Sequence, residues 1–401
     1  MISSSVENFI YADIIFIGIN MVVKVVMLGA GYVTAHLATG LERLKKGLIE
    51  PYGIPLAKYK LPYDLKDIEI VGVYDIDEDK VGKTLYDVAK EVMGSDYPVP
   101  EELKTITIRR GIRRKSADGL NIRAKGLDDL MSYENSLNTL LREWLELRPD
   151  VIVNVITTEY GEEYPDKSIA LNKVLRGDVP ATHSYAFVAS EYARTVGGVA
   201  FVNAIPTPVA NNPGLLKLLE ESGVVVFGDD GATGATPLTA DLIEHLAERN
   251  RLIEFIVQFN IGGNTDFYAL TKSDRNRMKE LTKTSMVKDI AGYEVPTFIK
   301  PTGYLEPLGD KKYVAMHIEY ISFNGFRDSL YINARINDSP ALAGILCDLI
   351  RLGKISLDKK WRGTIYEVNA FYMKRPGPQG APNIAKSKAY ELLLSKFGLK
   401  Q

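Results

Sequence analysis

The sequence predicts an α/β chain in two parts, a wound and largely parallel sheet followed by a second α/β unit whose sheet is mostly antiparallel. Short apolar runs at residues 22–28, 68–74, 151–155, 199–203 and 224–227 end in polar turns. Runs of that kind are the mark of strands buried on both faces. After residue 250 the runs lengthen and alternate, with Val314, Met316, Ile318 and Tyr320, then Leu330, Ile332, Ala334 and Ile336, on one face. Alternation of that kind belongs to a sheet with one covered face. The chain has 401 residues, 46% of them hydrophobic, which is enough for two sizeable cores.

The elements follow in order. Residues 22–28 form the first strand and lead through a glycine-rich turn into an apolar-periodic helix; an insertion at 47–67 precedes the second strand at 68–74. A charged segment runs to about residue 127, and a long helix is expected over 128–147. The remaining buried strands complete the first sheet, and a helix starting near Pro237 closes this part. Residues 252–259, 313–323 and 330–336 are the longer strands of the second sheet; one face would pack on helices and the other could pair with a further subunit. Residues 339–401 read as largely helical and returning to the first part, with 374–378 as a rigid exposed turn. The expected divisions are 21–245, 246–338 and 339–401.

Residues 1–20 lack a basic stretch and carry Glu7 and Asp13, so their apolar run reads neither as a secretory leader nor as a membrane span. Met21 directly precedes the first strand, so translation is expected to begin there, and an intact mass on the native protein tests this. A net charge of −2 with no basic stripe argues against nucleic acid as a partner. Arg109, Arg110, Arg113, Arg114 and Lys115 read as a solvated turn region. The single Cys347 excludes an internal disulfide and sits in apolar helical context, so it reads as core in a reducing compartment. His36, His183, His245 and His317 are too scattered for a contiguous metal motif.

Chemistry is concentrated in three turns. In the first, Gly29-Ala30-Gly31-Tyr32-Val33-Thr34, Gly29 permits the tight turn and Gly31 the approach of a pyrophosphate, while Thr34 stands where a third glycine or alanine is usual. Gly29, Gly31, Tyr32 and Val33 are therefore cofactor candidates on a Rossmann-type domain. Asp75, at the end of the second strand, is placed to accept from an adenosine ribose, which favours NAD over NADP; Asp77 competes for that role. Ligands of such sheets bind beyond the strand carboxyl ends, which adds Asn154, Thr157, Asn203 and Asp230.

The second turn is Gly228-Asp229-Asp230-Gly231-Ala232-Thr233-Gly234-Ala235-Thr236-Pro237, between a Val-rich strand and a helix start. Free N–H groups at that start, with Thr233, Gly234, Ala235 and Thr236, suit a sugar phosphate; a plain capped connection is the alternative. The third turn, Asn260 to Phe267, is followed by an expected helix carrying Lys279 and Lys283 on one face. Neighbouring ammonium groups lower one another's pKa, so one lysine could act as a base while another stays charged. An exposed basic face is the competing reading.

These residues together resemble the myo-inositol-1-phosphate synthase family, in its shorter archaeal-type form. The likeness rests on Gly29 to Thr34, Gly228 to Pro237, Asn260 to Phe267, Lys279 to Lys283, Lys300 to Lys312, Arg335 to Pro340 and Phe371 to Pro378. It implies a Rossmann-type NAD domain joined to a catalytic and tetramerising α/β domain, in a cytoplasmic homotetramer, with glucose 6-phosphate as substrate. It assigns Lys279, Lys283, Lys311 and Lys374 as active-site lysines, with Asn260, Asn264, Asp266 and Asp338 as polar partners and Asp230 beside the nicotinamide.

The family reaction oxidises C5 of the open-chain sugar, enolises C6, closes the ring by aldol attack on C1 and returns the hydride. Lys311 is expected near the C5 oxygen, Lys279 or Lys283 near the aldol oxygen, and Lys374 in proton transfer; Asp338 would hold a lysine charged and Asp266 would orient Asn264 or a lysine. Many members carry a lysine and a longer segment after the paired aspartates, where this chain has Gly231-Ala232. Some members also need a divalent metal, but no closed ligand set stands in this sequence; Asp230 and Asp266 are the candidates. The rival readings are an NAD-linked sugar or amino-acid-pathway dehydrogenase and a non-catalytic NAD-sensing protein.

Overall fold

The computed structural model describes residues 22–94, 97–264, 267–268 and 286–399. The expectations for residues 1–20 and Met21, for Asp266, and for a helix bearing Lys279 and Lys283 lie outside the described residues.

The first sheet has seven strands. In chain order they are β1 (Val23–Leu28), β2 (Ile68–Asp75), β3 (Ile108–Arg110), β4 (Val151–Asn154), β5 (Val199–Asn203), β6 (Val224–Phe227) and β11 (Gly363–Thr364). They lie in the order β11-β6-β5-β4-β1-β2-β3, every pair parallel. The central strands are buried on both faces, as their unbroken apolar runs require. Val23, Val25 and Met27 face one helix layer, made by α1 (Tyr32–Lys45), α2 (Leu85–Met93) and the long α8 (Asp338–Asp358). Val26 and Leu28 face the other, made by α3 (Tyr133–Leu147), α5 (Ala181–Val196) and α6 (Pro213–Glu221), with α4 (Lys167–Leu175) packed against α6.

The second sheet has the order β10-β9-β7-β8, with β7 (Leu252–Gly262), β8 (Thr297–Tyr304), β9 (Lys311–Ile321) and β10 (Arg327–Asn337). It is mixed: β9 is antiparallel to both neighbours, and β8 runs parallel to β7. Its inner face, with Ile256, Ile299, Met316 and Ile318, packs on Ala240, Ile243 and Leu246 of α7 (Thr236–Ala247). Its outer face carries Phe259, Phe298, Tyr313 and Tyr331 in the open, with His317 stacked on Tyr331 at a 4.4 Å ring separation.

Four expectations change. Strand β8 is an addition, because Lys300-Pro301-Thr302-Gly303 lacks the alternation that marks its neighbours. The arginine-rich segment is partly strand β3 rather than a solvated turn, and Arg113 and Arg114 are held by Asp128 and Asp129. Those same bonds break the expected 128–147 helix: residues Leu127–Asp129 form a separate short turn, and α3 starts after Ser132, whose hydroxyl caps it. Finally, the turn at 374–378 is not exposed: Lys374, Pro376 and Gly377 are buried. Cys347 is buried, and that burial pushes its thiol up to about 12. Among the described residues no helix is long and apolar enough to cross a membrane.

Candidate active site

A cavity of about 400 Å³ opens beyond the carboxyl ends of β1, β2, β4, β5 and β6, between the first sheet and the start of α8. One end is walled by the first glycine-rich turn. Gly29 has φ +103, and its N–H donates to the Tyr74 carbonyl at 2.7 Å. An added Cβ would fall 2.9 Å from the Val155 carbonyl oxygen, so this position tolerates only glycine. At Gly31 a Cβ would meet no protein atom within 4 Å and would project into the cavity. Thr34, the departure from the usual fingerprint, is buried and donates its hydroxyl back to the Gly29 carbonyl at 2.5 Å, stiffening the turn.

Asp75 also lines this end. One carboxylate oxygen accepts from Ala30 N at 2.7 Å, and the other from Ile76 N and Asp77 N at 2.7 and 2.9 Å. Lys80, which no motif in the sequence marks, lies 3.8 Å from Asp75 and 3.6 Å from Asp77. The open Gly31, the tethered Asp75 and the helix start at Tyr32 are the parts that could hold a dinucleotide, so the residues present fit that group. Tyr32 and Val33 line the same wall, and burial, helped by Asp310, raises the Tyr32 phenol above its usual range. Thr157 and its neighbour Thr158 line the cavity, whereas Asn154 and Asn203 lie fully buried beneath it.

Those two asparagines form the floor. Asn154 donates to Asn203 Oδ1 at 2.9 Å, and Asn203 donates to Asp229 Oδ1 at 2.7 Å. Asp229 is wholly buried and also accepts from the Asn211 side chain and from the N–H groups of Val209, Ala210 and Asn211. Burial pushes its carboxyl up, and these donors pull it back. The paired aspartates thus divide the work: Asp229 knits the backbone, and Asp230 turns the other way into the cavity.

At the far end, charge converges. Lys374 Nζ lies 2.9 Å from Asp230 Oδ1, with both side chains almost fully buried. The second oxygen, Asp230 Oδ2, is buried and accepts no hydrogen bond among the described residues. An ion pair out of water is held against a large desolvation cost, and an unused acceptor beside it suits a ligand hydroxyl. Asp338, the first residue of α8, accepts from the Thr233 hydroxyl at 3.1 Å and lies 3.5 Å from Lys312 Nζ. Lys312 stands over Gly234, where an added Cβ would come within 3.1 Å of its amine. The helix α7 begins here at Thr236 with no side-chain cap, leaving its first-turn N–H groups for an anion. Thr233, Ala235 and Thr236 are themselves buried around this start.

Among the described residues, two of the predicted catalytic side chains are not brought to the cavity. Lys311 lies on the outer face of β9, exposed beside Tyr313, because successive strand residues point to opposite sides; its neighbour Lys312 takes the inward place. Asn260 is buried in the β7–β8 pairing, where its amide donates to the Lys300 carbonyl at 2.9 Å and accepts from Gln258 at 3.0 Å. Asn264 does line the cavity, and donates to Asp310 Oδ1 at 3.1 Å. Asp310, which the sequence pattern does not single out, accepts from Ser339 N and Oγ and so caps α8 from outside, tying the β8–β9 turn to Asp338. Among the described residues, no group of three or more His, Cys, Asp or Glu is placed to hold a metal ion.

A sequence profile of the family described as myo-inositol-1-phosphate synthase matches residues 234–339, the span from the phosphate-type turn to the start of α8. An inositol-3-phosphate synthase of Corynebacterium glutamicum is 26% identical over 381 residues, covering 91% of this chain and 96% of its own. One from Mycobacterium tuberculosis is 26% identical over 380 residues, covering 93% and 96%. Inositol-3-phosphate synthase from Caenorhabditis elegans shares the fold, with a TM-score of 0.78 at 17% identity, over 94% of this chain and 85% of that one. A myo-inositol-1-phosphate synthase-related protein from Thermotoga maritima superposes with a TM-score of 0.89 at 53% identity, covering 94% of this chain and 99% of that chain. With identity at that level along nearly all of both molecules, the chain belongs to the myo-inositol-1-phosphate synthase family.

Proposed function

We propose that this protein converts D-glucose 6-phosphate to 1D-myo-inositol 3-phosphate, with NAD as a retained cofactor, as a cytoplasmic homotetramer serving inositol and phospholipid synthesis. The observation that carries this reading is the convergence of Lys374, Asp230 and Asp338 on one cavity that also borders the glycine-rich turn, with Lys312 paired to Asp338 behind it. NAD, when bound against Gly29, Gly31 and Asp75, supplies a hydride acceptor at C5 that gives the hydride back at the end.

The chain's own residues do the rest. Thr233, the first-turn N–H groups of α7 and Lys312 would hold the terminal phosphate, and Lys312 takes the place expected of Lys311 beside the C5 oxygen. Asp338 keeps the Lys312 ammonium in place through their ion pair. Lys374 and Asp230 move protons as a pair: Asp230 Oδ2 accepts the C5 hydroxyl proton, and the Lys374 ammonium, held against Oδ1, donates a hydrogen bond to the C5 oxygen. Once C5 is a ketone, the C6 protons beside it are acidic; loss of one to the neutral amine expected of Lys279 or Lys283 gives an enolate whose oxygen the ammonium groups stabilise. C6 then bonds to C1, and the aldol oxygen takes a proton, a task reserved for Lys279 or Lys283. The outward aromatic face of the second sheet supports the tetramer, because an open apolar face of that size is a place for subunits to meet.

Incubation of the purified protein with NAD and glucose 6-phosphate, followed by NMR of the product, is the test. A cyclitol phosphate without net NADH is the expected result. Accumulating NADH would mean a dehydrogenase, and unchanged sugar with bound NAD a sensor. Chelation with EDTA before the assay decides whether a divalent cation takes part.

A further inference from the structure

One buried amine is left over by this scheme. Lys386 is the first residue of α10 (Lys386–Phe397) and is only 4% exposed. Its Nζ donates to the carbonyls of Ala370 and Met373 at 2.5 and 2.8 Å. Ala370 lies in the last turn of α9 (Tyr366–Tyr372), where carbonyls have no partner within the helix and a positive charge is favoured by the helix dipole, and Met373 directly follows it in extended conformation.

The Met373 carbonyl matters most, because it shares a peptide plane with the N–H of Lys374. That N–H donates to the Asp230 carbonyl at 2.6 Å. The plane is therefore pinned at both ends, by Lys386 on one side and by the Asp230 backbone on the other. The same strap runs antiparallel along 229–232: Ala232 N donates to Tyr372 O at 2.8 Å, and Asp229 and Arg375 exchange bonds at 2.8 and 3.1 Å. Met373 pairs with Gly231 in the same ribbon. Beyond it, Lys374 reaches its carboxylate partner at 2.9 Å.

Lys386 is a costly way to fill space. It forms no ion pair among the described residues, and burial, reinforced by the charge of Lys374, pulls its ammonium down to about 7 against the opposing pull of Asp241. A methionine would fill the same volume without desolvating an amine. We propose that Lys386 is a positioning residue for Lys374: it clamps the carbonyl of the Met373–Lys374 peptide and so holds the Lys374 amine against Asp230 at the cavity wall. This rests on the reading that Lys374 moves protons in the cyclisation.

The test compares wild type with Lys386→Met, which keeps the bulk, and Lys386→Arg, which keeps the donors. Two readouts are taken: kcat with KM and the Kd for NAD, and the rate of reductive methylation of Lys374 followed by mass spectrometry. In Lys386→Met, kcat falls by about 10- to 100-fold, as expected for a group moved by about an ångström, while the Kd for NAD stays within about twofold. Lys374 labels faster, and Lys386→Arg restores both values. Wild-type kcat and wild-type labelling in a folded Lys386→Met protein overturn the clamp, whatever its melting temperature. If Lys386→Met does not fold, the same two measurements are made on Lys386→Leu, which also lacks a donor: a lower kcat with faster labelling upholds the clamp, and wild-type values of both overturn it. Faster Lys374 labelling in a protein whose wild type makes no cyclitol phosphate upholds the clamp and rejects the reaction instead.

Discussion

Replacing Lys312 by methionine, with Lys311→Met as its partner experiment, bears most directly on how this site works. Lys312 is 9% exposed, its amine 3.5 Å from Asp338 and poised over Gly234, so in the proposed complex it makes a charge-assisted contact to the phosphate ester. Contacts of that kind contribute about 1.5–3 kcal/mol. At about 1.4 kcal/mol per tenfold, Lys312→Met should raise KM for glucose 6-phosphate by roughly 10- to 140-fold, with a further loss in kcat if the amine also faces the C5 oxygen. Lys311 is one residue away and on the opposite face of the sheet, so Lys311→Met should leave both constants within about twofold. Initial rates of cyclitol phosphate formation at saturating NAD measure the effect, with circular dichroism and light scattering to establish that fold and assembly persist. An unchanged KM in folded Lys312→Met, or an equal loss in Lys311→Met at unchanged assembly, would refute the assignment.

Three further outcomes are expected. Gly31→Ala should weaken NAD binding with little change in melting temperature, since the new methyl meets only open cavity; Gly29→Ala, strained at φ +103 and against the Val155 carbonyl, should cost about 1–3 kcal/mol of stability as well. Wild-type NAD affinity in Gly31→Ala, by calorimetry, would count against the cradle. His183 is fully buried between Tyr164 and the Pro208 carbonyl, and burial pulls its pKa from 6.5 to about 4 against the opposing pull of that carbonyl. The unfolded chain therefore binds this proton first, so stability is full above pH 6.5 and declines by roughly 3 kcal/mol as pH falls through the folded pKa near 4. Urea unfolding should show a shallower acid loss in His183→Gln, and identical slopes would exclude His183 as the cause. Tyr331→Glu, at a residue 71% exposed on the outer sheet face, should split the proposed tetramer in light scattering; an assembly unchanged by it would place the subunit contact elsewhere.

Much of this was legible before folding because it depends on local rules. Unbroken apolar runs gave the parallel strands their place, and a glycine-rich turn between a strand and a helix marked one end of the cavity, since both signals arise from residues adjacent in the chain. Lys312 was legible too: the alternation Val314, Met316, Ile318 that identified β9 places 312, not 311, on the inward face, and carrying the period back two residues would have found it. Strand β8 left no such trace, because its Pro and Gly interrupt the alternation and it is held by pairing with β7.

Residue order alone therefore determined the two-part α/β architecture, the direction of the first sheet and the glycine-rich turns at its strand ends, because periodicity and turn stereochemistry act over a few residues. Folding decided the site itself. Lys374 meets Asp230 across 144 positions of chain, and Asp310 joins Asn264 to α8 over gaps of 46 and 29. Whether a basic tail piece becomes a solvated turn or a buried amine against a carboxylate depends on which strap lies along which strand end, and no local pattern records that pairing.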